Sequence, residues 1–185
     1  MFTSDEKPVL ILIDVQKGFD DPIWGSRNNP QAEENIAKLL QHWRSNNLPV
    51  VFVQHMSTTP GSPLAPGQEG NEYKDVVKPL SEPIFHKQVH SAFIGTELED
   101  YLRKNKFTTL VITGITTNLC VATTARMAGN LGFKTYVVND GTACFDTKDV
   151  EGNLIPAETI HRVTLANLNG QFATIVPTNS LLKAE

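Results

Sequence analysis

Apolar and polar positions along the chain alternate between two regimes. Residues 8–14, PVLILID, form an unbroken apolar run that ends in an acid, the pattern of a parallel strand buried on both faces. After a loop rich in Gly, Pro, Asp and Asn, Asn29 stands as an N-cap candidate before Pro30. Ile36, Leu39, Leu40 and Trp43 then recur at helical spacing and predict a helix that ends near Asn46 and Asn47. Residues 49–55, PVVFVQH, predict a second strand, and 84–87, IFHK, a short third one. Thr96 and Glu99 read as a capping box before Leu98, Tyr101 and Leu102, which predicts a helix to about Lys104.

The second half repeats the alternation. Residues 108–114 predict the fourth strand, 117–131 a helix stopped at Gly132, and 134–139 the fifth strand. A helix opening at Pro156 and Glu158 carries Ile160, Val163 and Leu168 inward and stops at Gly170. Residues 173–176, ATIV, close the series as a sixth strand. Between Met56 and Pro83 there are five prolines, three glycines and no sustained period. So long an irregular stretch predicts a functional loop covering a pocket mouth, with room for a short helix at 72–77.

Strand and helix alternate throughout, so the expected fold is a three-layer α/β/α sandwich, Rossmann-like, with a mainly parallel sheet and right-handed crossovers. At 185 residues the chain is expected to form a single domain, 1–185, with a core of its own. In such sheets ligands bind beyond the carboxyl ends of the strands, where the strand order reverses. Three residues with chemistry stand at such ends: Asp14, Lys87 and, after the fourth strand, Cys120.

Composition narrows the partners. A net charge of −4 offers no basic footprint for nucleic acid. The run VLILI is too short for a membrane span or a secretory core, so no membrane partner and a cytoplasmic location with reduced thiols are expected. The five histidines form no recognisable ligand set, and neither GxGxxG nor GxxxxGK occurs. The expectation is therefore no metal and no nucleotide or other cofactor.

Cys120 lies near the first turn of a helix, where free N–H groups, the helix dipole and a nearby Lys87 ammonium would favour a thiolate and lower its pKa. The same position equally suits a small buried packing residue. Asp14 is either a strand's exit to solvent or a carboxylate in an apolar cleft that takes the thiol proton. Lys87 alone would read as a solvated charge. Cys144, in a loop without a charged partner, reads as an ordinary buried cysteine.

Three segments carry a resemblance: LIDVQKGF at 12–19, KQVHSAFIGTELEDYL at 87–102 and VITGITTNLCVATTARMAGNLGF at 111–133. Together they resemble the isochorismatase-like superfamily of cysteine hydrolases over nearly the whole chain. The resemblance implies a six-stranded parallel sheet, a catalytic triad of Asp14, Lys87 and Cys120, and a homo-oligomer, dimer or tetramer. It also implies a cis peptide bond between Ile115 and Thr116, with the N–H groups of Thr116 and Cys120 forming an oxyanion hole. The implied activity is metal-independent cleavage of a C–N, amide-type bond in a small molecule through a Cys120 thioester. An isochorismatase-type ether hydrolase, and a non-catalytic thiol-based binding or redox protein, remain as alternatives. Phe19, Trp24 and Phe93 are expected to wall the pocket, and Gln54 or His55 to contact substrate. Nicotinamidases of the superfamily carry an Asp-x-His metal motif after the second strand, where this chain reads QHMS, so a nicotinamidase is not expected.

Overall fold

The computed structural model describes residues 6–182. Its core is a six-stranded sheet with the order β3-β2-β1-β4-β5-β8, every neighbouring pair parallel. The strands are β1 (Val9–Ile13), β2 (Val50–His55), β3 (Ile84–Lys87), β4 (Thr109–Ile115), β5 (Lys134–Ala143) and β8 (Thr174–Val176). β6 (Thr147–Lys148) and β7 (Leu154–Ile155) form a small antiparallel ribbon that sequence reading leaves inside a loop. β1 is buried at all five positions, as a strand flanked on both faces must be.

The helices are α1 (Ala32–Ser45), α2 (Leu98–Lys104), α3 (Ala122–Asn130), α4 (Ala157–Leu168) and α5 (Thr178–Leu182). Alternation along β1 assigns them to layers. Leu10 and Leu12 pack with Ile36, Leu39, Leu40 and Trp43 of α1 and Leu181 of α5. Val9, Ile11 and Ile13 pack with Leu98 and Leu102 of α2, Val121 to Ala128, and Leu165 and Leu168 of α4. Each face is thus a dry layer in which a large-to-Ala change costs about 2–5 kcal/mol.

Several local expectations are corrected. Asn29 does not cap α1. Its side chain donates to the carbonyls of Asn139 and Thr142, at 2.8 Å each, tying the helix entry to β5. The Thr96 hydroxyl accepts from the Leu98 amide, but Glu99 pairs with Arg103 instead of closing a capping box. Val163 of α4 is exposed, and the inward face carries His161, Leu165 and Leu168. β5 runs on to Ala143, past the end predicted at 139. Asp140, within that extension, accepts from both the amide and the hydroxyl of Thr178 at 2.8 Å and so opens α5.

The order reverses between β1, which leads outward through β2 to β3, and β4, which leads through β5 to β8. Gly114, opposite Ile13 in this seam, has φ 128°, and a Cβ there would stand 2.0 Å from the Ile13 carbonyl oxygen. Only glycine lets the two strand ends approach this closely. A register irregularity follows on the other side, where Ile112 pairs with Val137 but Gly114 with Thr142. The ends of β1 and β4 thereby open a crevice at the sheet's carboxyl edge.

Candidate active site

Asp14 follows the last residue of β1 and adopts φ 51°, a left-handed turn that swings the chain off the sheet edge. Its side chain is completely buried. Lys87 ends β3, two strands away, and its stem crosses β2 to reach the crevice. The ammonium lies 2.5 Å from Asp14 Oδ2 and 3.3 Å from the Cys120 sulfur, and meets His55 Nδ1 at 3.2 Å. A neutral His55 offers Nδ1 as acceptor in that contact. Burial and the Lys87 charge hold it neutral, with its pKa pushed down to about 4.

Cys120 sits on a widened turn, Thr117–Val121, in which the Val121 amide bonds back to the Thr116 carbonyl five residues earlier. One such turn at the head of a helix is a common way to re-aim a side chain. Thr117 is fully buried, and its hydroxyl meets His161 Nδ1 at 2.9 Å, fastening the turn to α4. The Ile115–Thr116 peptide bond that leads into the turn is cis. Thr116 lines the crevice with its hydroxyl oxygen buried and without a hydrogen-bond partner among the described residues.

The electrostatics correct one expectation. The Cys120 thiol is not poised as a free thiolate: burial first, and the neighbouring Asp14 carboxylate second, push its pKa up to about 12, against the opposing effect of Lys87. Burial likewise raises Asp14 above the usual carboxylate range, with Lys87 offsetting part of that rise. The Lys87 charge therefore does not outweigh burial and Asp14 together. The arrangement suits a proton passed between Cys120 and Asp14 during reaction, because the charge moves between two atoms beside one ammonium and no net charge is created in the dry crevice.

Asp14 and Cys120 form the floor of a cavity of about 420 Å³, with Phe19, Ile23, Trp24, Leu64, Leu119 and the 57–64 segment as walls. Of the expected pocket residues, Phe19, Trp24 and His55 line it. Gln54 does not: its amide donates to the backbone and side-chain oxygens of Asn71, away from the cavity. Nor does Phe93, which stacks on Phe133 inside the α2 and α3 layer. The long 56–83 segment does contribute to the pocket mouth, and its ordered turns are Glu69–Asn71 and Asp75–Val77.

Sequence reading missed His90, whose Nδ1 stands 3.5 Å from the Cys120 sulfur. Its place in KQVH, three residues after Lys87, was the available cue. Cys144 is buried and gives its thiol hydrogen to the Ala157 carbonyl, 3.2 Å away. No group of three or more His, Cys, Asp or Glu among the described residues could hold a metal ion.

The structure is an open parallel α/β sheet with a cysteine, an acid and a lysine gathered at its switch point. An isochorismatase domain model matches residues 8–180. The chain belongs to the isochorismatase family and is a hydrolase. It is 50% identical over 179 residues to the isochorismatase family protein YrdC of Bacillus subtilis, covering 96% of each chain. A crystal structure of an isochorismatase-family protein from Chromobacterium violaceum is 44% identical and superimposes with a TM-score of 0.95 over 98% of this chain and 95% of that one. A cysteine hydrolase from Pseudomonas syringae is 25% identical, with a TM-score of 0.87 over 96% of this chain and 91% of that one. The described residues contain no helix long and apolar enough to cross a membrane.

Proposed function

We propose that the protein hydrolyses a C–N bond of a small amide through a thioester on Cys120. The observation that carries this reading is the convergence of Asp14, Lys87 and Cys120 at the floor of one cavity, with the sulfur in contact with the ammonium and facing open space. The name of the cysteine hydrolase relative is consistent with it.

Asp14 takes the thiol proton as sulfur attacks the amide carbon. The backbone N–H groups of Thr116 and Cys120 receive the developing oxyanion, an effect worth roughly 3–4 kcal/mol per donor in well-studied acyl-transfer hydrolases. Asp14 returns the proton to the nitrogen as the C–N bond breaks, and the amine or ammonia leaves. A water then gives its proton to Asp14 and attacks the thioester. The proton passes back to sulfur, which releases the acid and restores the thiol. Lys87 stabilises whichever partner is anionic.

The test is ammonia release from a panel of small amides and ureides by the wild type, Cys120→Ala and Asp14→Asn. Turnover by the wild type with loss of at least ~1,000-fold in both variants supports the mechanism. Retained activity in Cys120→Ala removes the nucleophile. Turnover of an enol ether, with no amide accepted, replaces amide chemistry by ether hydrolysis.

A further inference from the structure

We propose that this cavity selects amides whose acyl part is neutral and apolar, a ring or short hydrocarbon chain, and rejects acyl groups that carry a carboxylate. The inference rests on the amide-hydrolase reading and adds the substrate class. Its basis is the distribution of charge around the cavity.

Phe19, Trp24 and Phe145 form a three-ring cluster, with centroids 5.3 to 6.1 Å apart, behind the wall that Phe19 and Trp24 present. The indole N–H of Trp24 is spent on the Gly18 carbonyl at 2.8 Å, which fixes the ring and leaves its hydrocarbon surface to the cavity. Ile23, Leu64, Leu119, Pro60 and Pro63 complete the apolar lining. The hydroxyls of Ser57 and Ser62 accept from backbone amides of their own loop, those of Thr59 and Leu64.

Among the described residues no lysine or arginine lines the cavity, and its one formally charged side chain is Asp14. The ammonium behind the floor is already held by Asp14, His55 and Cys120. His55 is neutral in that contact. His90 faces the sulfur, at the reacting end. The cations beyond the Phe19 wall are paired: Lys17 with Glu69 and Glu72, Lys74 with Asp20 and Glu33, and Arg27 with Glu33. A carboxylate seated here would lose its water, gain no counter-ion and share the space with Asp14. The hydroxyls of Ser57, Thr59, Ser62 and Thr116 offer a bound group hydrogen bonds but no compensating positive charge.

The experiment compares 4-nitrobenzamide with 4-carbamoylbenzoate, ring amides of nearly equal shape that differ in charge. The expected result is a kcat/KM at least ~100-fold higher for the neutral amide, the order of discrimination that an uncompensated buried charge gives. Calorimetric titration of Cys120→Ala with the same two compounds reads binding without turnover, and the neutral ring is expected to bind the tighter by a similar factor. Ile23→Arg, at an exposed position of the wall, is expected to narrow the gap at least ~10-fold by supplying the missing cation.

Turnover of both amides with the carboxylate equal or preferred overturns the substrate class and leaves the amide mechanism standing. Selective binding of the neutral ring by Cys120→Ala, with no amide turned over by the wild type, supports the class and removes the mechanism. Failure of the neutral ring to bind at millimolar concentration overturns the class.

Discussion

The Lys87 ammonium and the Asp14 carboxylate meet at 2.5 Å with both side chains wholly shielded from solvent. Removing one member of such a pair strands the other charge in a low-dielectric interior, at a typical cost of 3–5 kcal/mol, a large part of a domain's stability. Lys87→Met is expected to unfold in urea with a loss of about 3–5 kcal/mol, by linear extrapolation. The double variant Lys87→Met with Asp14→Asn is expected to regain most of it while remaining inactive. A double variant no more stable than Lys87→Met would show that the pair is not a coupled buried charge system.

Cys120 responds in opposite directions to its two charged neighbours. Asp14 raises the thiol's pKa and Lys87 lowers it. Asp14→Asn is therefore expected to be inactive in hydrolysis yet alkylated by iodoacetamide several-fold faster than the wild type at pH 8, because more thiolate is present. Lys87→Met is expected to be alkylated more slowly. Equal rates in all three proteins would show that these charges do not control the thiol.

The acid limb of stability has a specific contributor in Glu33. Arg27 grips both its oxygens, at 2.7 and 2.8 Å, and Lys74 reaches it at 2.6 Å. Although burial alone would raise it, these cations bring its pKa down to about 2. A carboxylate with a depressed folded pKa contributes stability above its unfolded value, near 4.5, and that contribution fades as pH falls toward 2. The full shift is worth about 3–4 kcal/mol, of which solvent screening at this partly exposed carboxylate leaves about 2–3 kcal/mol. Urea titrations between pH 5 and 2.5 are expected to show a shallower loss in Glu33→Gln than in the wild type.

Gly114→Ala tests the seam between β1 and β4. The new Cβ would overlap the Ile13 carbonyl at a positive φ, so the strand ends must part. The expected result is a loss of at least ~3 kcal/mol in stability together with loss of activity. An alanine variant with wild-type stability would mean that the strands approach less closely than described.

What could be read from the chain followed from period and from strand ends. The unbroken apolar run 8–14 announces a doubly covered parallel strand, 108–114 reads as a second buried strand, and the acid or turn that ends each one marks the carboxyl edge. That logic placed Asp14, Lys87 and Cys120 at one rim. Features decided by tertiary neighbours were not legible. Asn29 looks like a helix cap until β5 offers it two carbonyls. Gln54 and Phe93 read as pocket residues in the sequence, but the first is claimed by Asn71 and the second by Phe133. His90 reaches the sulfur from a loop whose path no periodicity records. The thiol's pKa depends on how dry the crevice is, which neighbouring residue types do not reveal.

The strand order has a consequence for how activity and folding relate. Lys87 and Asp14 come from the ends of β3 and β1, His55 from the end of β2 between them, and Cys120 from the turn after β4, so the site draws on four adjacent strands and on chain segments from both halves of the molecule. No fragment that keeps one or two of these strands can hold even a weakened version of it. Turnover is thus an all-or-none reporter of the assembled central sheet: during refolding, catalysis is expected to return only with the last of these four strands, however early the individual helices form.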